Sequence, residues 1–305
     1  MQFHLYLPQM RMSFDRLVAS ARAAESAGFT GIAGMDHLAP PGAEQHSMYE
    51  AMVTSTWLAA RTERLTVGSL VLCDAFRHPA VLAGQAVSLD HASGGRFELG
   101  LGWGSWTDDF SRFGVEPSEP AGRVRRLRET LEVLTALWSG ETVDYDGSFH
   151  HLSAARQAPA PLGKIPVVIG GTGPKTMKLV SEYADWWNLP LTDLHRLAQA
   201  RSLAGDARVS VQQMVAYVGR GADRAAVAAE AARRFGAIAP PVTGTAAELV
   251  DHFGRLADQG VERVYAWFAD FAPPDTLAAF GAGVIGPLSA SRTLGRRPPG
   301  APRRS

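Results

Sequence analysis

The chain has 305 residues, 46% of them hydrophobic and 20% charged, enough for a large core in one big domain or two ordinary ones. Its 30 basic and 30 acidic residues cancel, so no global basic field exists to attract nucleic acid or an anionic membrane surface. The single cysteine, Cys73, excludes an internal disulfide and fits a reducing, cytoplasmic setting. The strand-like start, Met1 to Pro8, shows no signal-peptide n-region, and no apolar run is long enough to span a bilayer.

Eight runs read as strands, near 2–7, 31–35, 65–72, 96–101, 166–170, 185–189, 209–217 and 262–268. Those at 65–72, 96–101 and 166–170 are near-continuously apolar, the pattern of buried parallel strands. Helical patterns lie between the runs, near 13–27, 47–61, 79–91, 121–138, 174–183, 191–204, 222–235 and 245–258. Ser13 is placed to cap the first helix and Gly28 to end it. Thr245 and Glu248 have the spacing of a capping box at the start of the eighth, which Gly260 closes. Eight alternations of strand and helix predict a closed (β/α)₈ TIM barrel. A doubly wound sheet fits less well: it calls for a GxGxxG turn after the first strand, where Pro8-Gln9-Met10-Arg11 stands. Residues 140–163, after the fourth strand, read as a small insertion, a hairpin with Asp146-Gly147 at its turn. The expected domain covers 1–288, and the Arg-, Pro-, Gly- and Ser-rich tail 289–305 is expected to be disordered.

Function in such a barrel sits in the loops after the carboxyl ends of the strands. Those loops carry Asp36-His37, Cys73-Asp74, Gly102 to Asp108, Gly170 to Pro174, Asn188 and Asp270. Gly170-Gly171-Thr172-Gly173 runs straight into a helix with Pro174 in its first turn, so free backbone N–H groups and the helix dipole make an anion site suited to phosphate. The only three lysines, Lys164, Lys175 and Lys178, flank this loop. His37 either moves a proton near neutral pH or holds its loop by hydrogen bonds. The other histidines show no metal-ligand spacing, which predicts no metal site, and His150-His151 reads as surface hairpin. Trp103, Trp106 and Trp267 are candidates for an apolar substrate pocket, whereas Cys73 reads as packing. Gly100, Gly102 and Gly104 make a weak dinucleotide signal because they end a fourth strand rather than a first.

Several blocks together carry a family resemblance over roughly residues 1–285. They are Ala24-Glu25-Ser26-Ala27-Gly28-Phe29, Asp36-His37, Thr62-Glu63-Arg64-Leu65, Arg77-His78-Pro79, Leu89 through Arg96, Gly170 through Pro174, and Tyr183-Ala184-Asp185-Trp186-Trp187-Asn188. In this order the chain resembles the luciferase-like flavin-dependent oxidoreductases, most of all their branch using the deazaflavin coenzyme F420. The resemblance implies a (β/α)₈ barrel, hydride transfer, and F420 as cofactor, with FMN in a two-component monooxygenase as the alternative. It also implies a homodimer, a small-molecule substrate, and a flavin reductase partner only in the FMN case. By the same resemblance Asp36 contacts the ring, His37 is the acid/base group, and a non-prolyl cis peptide near Leu70-Val71 props the ring. Gly102, Ser105 and Asp108 face the ring or its side chain, and Gly170, Gly171, Thr172 and Gly173 hold the phosphate. Asn188 stands among the cofactor contacts, and Lys175, Lys178 or Arg11 meets the acidic tail of the cofactor. Trp103 replaces a small residue of many relatives and narrows the pocket beside the ring; Ser105 replaces an acidic residue of the sugar-phosphate-oxidising ones and no further lysine stands ready for a substrate phosphate, both of which weigh against a sugar phosphate. A non-catalytic flavin-binding protein is the alternative of another class, and Asp36-His37 argues against it.

Overall fold

The structure, a computed structural model, describes residues 1–115 and 119–295. The first two units are β1 (Gln2–Tyr6) with α1 (Phe14–Ser26), and β2 (Gly31–Gly34) with α2 (Ala51–Ala59). In the third, β3 (Thr66–Ser69) and β4 (Leu72–Cys73) flank a cis peptide between Leu70 and Val71, and α3 (Pro79–Ser93) follows. The fourth holds β5 (Phe97–Gly102), α4 (Thr107–Phe113) and α5 (Pro120–Trp138), then an antiparallel hairpin of β6 (Val143–Asp146) and β7 (His151–Ala155). Next come β8 (Val167–Gly170) with α6 (Pro174–Tyr183), and β9 (Trp186–Leu189) with the single turn α7 (Leu197–Ala200). β10 (Arg208–Tyr217) leads to α8 (Arg224–Phe235), the short β11 (Val242–Gly244) and α9 (Ala246–Asp258). The chain closes with β12 (Val261–Phe268), α10 (Pro274–Phe280) and α11 (Gly286–Gly295).

The parallel strands run in the order β1, β2, β3, β5, β8, β9, β10, β12, and β12 pairs back onto β1, which closes the ring. This is the expected (β/α)₈ barrel. Several local signals act as read from the sequence. Ser13 accepts from the Arg16 N–H, and Thr245 and Glu248 form the capping box. Other boundaries move for identifiable reasons. α2 starts at Ala51, because the Glu50 carboxylate caps it by accepting the Val53 N–H at 2.7 Å. The 191–204 segment is a 3₁₀ turn, one α turn and another 3₁₀ turn. Strand three is broken at Leu70-Val71. α11 extends to Gly295, so 289–295, expected in the unstructured tail, is helical, and 296–305 lies outside the described residues. No helix among the described residues is long and apolar enough to cross a membrane.

Close packing explains part of the glycine signal on β5. A Cβ on Gly100 would lie 1.9 Å from the Ser69 carbonyl oxygen, and one on Gly102 would lie 2.7 Å from Val71 Cγ2. These glycines let the broken third strand pass against the fourth.

The floor of the barrel is polar. Glu98 of β5 accepts two hydrogen bonds from Arg263 of β12, at 2.7 and 2.9 Å, and the guanidinium lies 3.7 Å over the Trp186 ring. Beside it, His4 is 2% exposed and its Nε2 has no hydrogen-bond partner among the described residues. Burial, and then the Arg263 charge, hold the His4 pKa well below the usual histidine range. In the unfolded chain His4 takes up a proton near pH 6.5, whereas in the fold it stays neutral. Its contribution is therefore complete above about pH 6.5 and is lost as pH falls toward the folded-state pKa. Thermal melts from neutral to mildly acid pH are expected to show a declining midpoint, with a smaller decline in His4→Gln. An equal decline in both would place the acid sensitivity elsewhere.

Candidate active site

The carboxyl ends of the strands open into a cleft of about 490 Å³. Most of the residues singled out from the sequence line it: Asp36, His37, Leu70, Val71, Gly102, Trp103, Ser105, Trp106, Gly170, Gly171, Thr172, Gly173 and Asn188. What each one does there depends on its partners.

The Asp36 carboxylate is engaged by protein donors on both oxygens. Its Oδ2 accepts from Arg77 Nη1 at 2.7 Å and from the Cys73 N–H at 2.8 Å, and its Oδ1 accepts from Arg77 Nη2 at 2.9 Å. The same guanidinium also donates to Glu50, the cap of α2. Burial works against the charge on Arg77, but the two carboxylates outweigh it and raise its pKa above the usual range. Asp36 thus anchors the rim at this point while lining the cleft. Cys73 matches its reading as packing: burial pushes its thiol up to about 12, so it is no nucleophile near neutral pH.

His37 follows on the same loop, and its Nδ1 lies 2.8 Å from Oδ2 of Asp109. The Asp109 side chain is 3% exposed and that of His37 26%, so the ring is gripped from behind and open in front. The sequence reading chose the neighbour, Asp108, instead. Asp108 lies outside the cleft lining, because residues 107–113 form helix α4 and the helical turn carries Asp108 outward while Asp109 and Phe110 face in. The apolar Phe110 and Phe113 followed by Gly114, a helix stop, were the available signal.

On the next wall, Arg123 of α5 fixes the β5 loop by donating to the Gly104 carbonyl at 2.6 Å, and its guanidinium lies 4.9 Å over Trp103. Trp103 and Trp106 therefore face the cleft as expected. Trp267 does not. It points into the barrel but is 8% exposed between Tyr6 and Phe235, with ring centroids 5.2 Å from each, and belongs to the interior core.

The glycine loop has its expected form with one correction. Gly171 adopts φ +123°, and its N–H already donates to the Asn188 carbonyl at 3.3 Å. Trp187 Nε1 donates to the Gly171 carbonyl at 2.8 Å and holds the turn. The N–H groups of Lys175 and Thr176, at the second and third positions of α6, have no intrahelical acceptor. At Gly170 and Gly173 an added Cβ would meet nothing closer than 3.8 Å, so bare backbone faces open space. The charge at the loop has a further source. Lys175 points to solvent outside the cleft lining, Lys178 pairs with Glu182 at 4.0 Å, and Arg11 is exposed away from the cleft. The cation at the loop is Arg196, missed in the sequence, which donates to Thr172 Oγ1 at 2.6 Å. Thr172 in turn donates to Asp193 at 2.6 Å.

The remaining strand-end residues are structural. Asp74 is buried against Arg126, Nε to Oδ2 at 3.1 Å. Asp270 ties its own turn, accepting from the Ala272 N–H and the Thr276 hydroxyl. His150 corrects the surface reading of the hairpin: it is 9% exposed and lies 3.2 Å from the Thr130 hydroxyl, whereas His151 is exposed.

A closed parallel barrel with a histidine in a cleft at the strand ends defines an enzyme of the (β/α)₈ class. Residues 1–280 match the family described as luciferase-like monooxygenase, and the chain belongs to that family of oxidoreductases. Among curated relatives, the F420-dependent glucose-6-phosphate dehydrogenase of Microbacterium testaceum is 34% identical over 166 residues, 53% of this chain and 48% of its own length. The F420-dependent hydroxymycolic acid dehydrogenase of Mycobacterium tuberculosis is 31% identical over 204 residues, 64% of this chain and 54% of its own length. The chain thus spans about half the length of the curated relatives it matches. Two solved structures share the fold. An F420-dependent secondary alcohol dehydrogenase with an F420-acetone adduct superposes with TM-score 0.81 at 17% identity, covering 93% of this chain and 98% of that one. The EDTA monooxygenase of Chelativorans sp. BNC1 gives 0.81 at 15% identity, covering 96% and 94%.

Proposed function

We propose that the chain is a coenzyme F420-dependent oxidoreductase acting on a small, uncharged and largely apolar substrate, with FMN-dependent monooxygenation as the competing activity. The carrying observation is the placement of His37 in a cleft bounded by the Leu70–Val71 bend and the glycine loop. The F420-dependent curated relatives support the choice of cofactor.

The residues present fit such a cofactor. Leu70 and Val71 would carry the ring, and the N–H groups of Thr172, Gly173, Lys175 and Thr176 with Arg196 would hold the phosphate. Once bound, a deazaflavin supplies the hydride chemistry. The chain's own part is to orient, to exclude water and to move one proton. His37 Nε2, opposite the atom engaged by Asp109, is the group that takes or returns the proton at a substrate oxygen. Trp103, Trp106, Phe76 and Phe110 provide apolar wall. No lysine or arginine is among the residues lining the cleft, whereas Asp36, Asp109 and Asp193 are. With Arg196 given to the cofactor phosphate, a phosphorylated or carboxylate substrate would meet no further cation in the cleft lining, so the chain would differ in substrate from relatives that take a sugar phosphate.

Fluorescence titration with coenzyme F420 beside FMN tests the reading. Tight F420 binding with negligible FMN binding is expected, and the reverse would make the protein a monooxygenase. The same titration tests the phosphate cation. Arg196→Ala is expected to weaken F420 binding by roughly threefold to tenfold, a modest loss because the side chain is partly solvated. Lys175→Ala should change it by less than about twofold. A larger effect from Lys175 would favour the lysine assignment made from sequence.

A further inference from the structure

We infer that Asp109 is a positioning residue for His37. Its carboxylate keeps the imidazole proton on Nδ1 and so presents Nε2 to the cleft as a bare, proton-accepting nitrogen. The inference rests on the reading of His37 as the proton-moving group.

A buried ionised carboxylate accepts hydrogen bonds and cannot donate them. With Oδ2 of Asp109 at 2.8 Å from Nδ1, the proton between them belongs to the ring nitrogen. In a neutral imidazole the other nitrogen must then be unprotonated. Among the described residues, His37 is the one side chain shown donating to this carboxylate. The grip is rigid for a reason outside the chemistry. Phe110, the next residue on α4, is 2% exposed, with its ring 6.1 Å from that of Phe76 and the Arg123 guanidinium 5.3 Å above it. The carboxylate is thereby fixed in position before any ligand arrives.

Two consequences follow for the reacting atoms. The tautomer with the proton on Nε2 would offer a donor to a substrate hydroxyl that itself needs an acceptor, so the wrong tautomer blocks proton removal. Once Nε2 has taken a proton, the imidazolium is held by a charge-assisted bond to Asp109, which stabilises the charged form when it is needed. A simple tie between two loops would require neither a charge nor a particular tautomer.

The test is nitrogen NMR of ligand-free protein with isotope-labelled histidine, recorded at about pH 8, above the ordinary histidine range. Spectra of His37→Gln assign the His37 signals. The native protein should show the proton on Nδ1. Asp109→Ala and Asp109→Asn should each shift the tautomer ratio at least about tenfold toward Nε2–H, the scale of one lost hydrogen bond to a charge. The asparagine variant keeps the volume, so it serves if the alanine variant fails to fold. A proton on Nε2 in the native protein, or a ratio unmoved by the asparagine change, overturns the inference. Titration with coenzyme F420 adds a second readout. Asp109→Asn should bind it within about threefold of the native protein, and a loss beyond about tenfold would make Asp109 a binding group instead. Failure of the native protein to bind F420 would sink the proposed function and leave the tautomer result standing.

Discussion

Replacing His37 with alanine is expected to lower turnover by about 10²–10⁴-fold while coenzyme F420 affinity changes by less than about threefold. A general acid or base acts mainly in the transition state, so its loss appears in kcat rather than in binding. The substitution also strips the buried Asp109 carboxylate of its donor. A buried charge without a partner destabilises the fold, and that must be separated from lost catalysis. The double variant His37→Ala/Asp109→Asn removes the orphaned charge. It should recover thermal stability relative to the single variant and recover no activity. Assays with a panel of uncharged secondary alcohols, with glucose 6-phosphate as the anionic comparator, supply the rate. Turnover within a few fold of the native value would reduce His37 to a loop residue and remove the mechanism.

The largest stability effect is expected at the opposite end of the barrel. Glu98→Ala leaves the Arg263 guanidinium buried, with Gln2 Oε1 and the Tyr265 hydroxyl, both at 3.1 Å, as the acceptors that remain among the described residues. Breaking one partner of such a pair costs about 3–5 kcal/mol. In a chain of this size that lowers the melting midpoint by roughly 5–8 °C. Replacing both members with apolar groups removes the unpaired charge, and buried pairs exchanged this way are often neutral. Glu98→Leu with Arg263→Met should therefore be more stable than Glu98→Ala alone, since the methionine still packs on Trp186. Should the double variant unfold as early as the single one, the ion pair specifies the barrel floor and does more than fill it.

The architecture was legible because parallel barrel strands are buried and short, so 65–72, 96–101 and 166–170 announce themselves as apolar runs closed by turns. The Leu70-Val71 cis peptide and the glycine loop fall where the family resemblance put them. What was not legible depends on angles that a strand-and-helix reading does not carry. Asp108 and Asp109 differ only by the turn of α4, and Lys175 and Arg196 only by which way a helix start and a 3₁₀ turn present their side chains. Trp267 has the inward parity of a pocket residue, yet Phe235 arrives from α8, far along the chain, to cover it. Asp36 sits in the expected place with a partner that was not foreseen, because Arg77 was recognised as part of a family block but not as its counter-ion.

The Arg77 guanidinium joins the Asp36 loop to the cap of α2, while the Cys73 N–H joins that loop to the broken third strand. Half of the cleft mouth is therefore a braced frame, in which no residue can drift without breaking a bond to another segment. In the facing half, Trp103, Ser105 and Trp106 hang from the β5 loop, which among the described residues is held by Arg123 and, through α4, by the His37–Asp109 bond, with no side-chain hydrogen bond shown for the three residues themselves. Variation among substrates is then cheapest on the β5 side, and a library randomised at Trp103, Ser105 and Trp106 should yield folded proteins with altered substrate range far more often than one randomised at Asp36, Glu50 and Arg77.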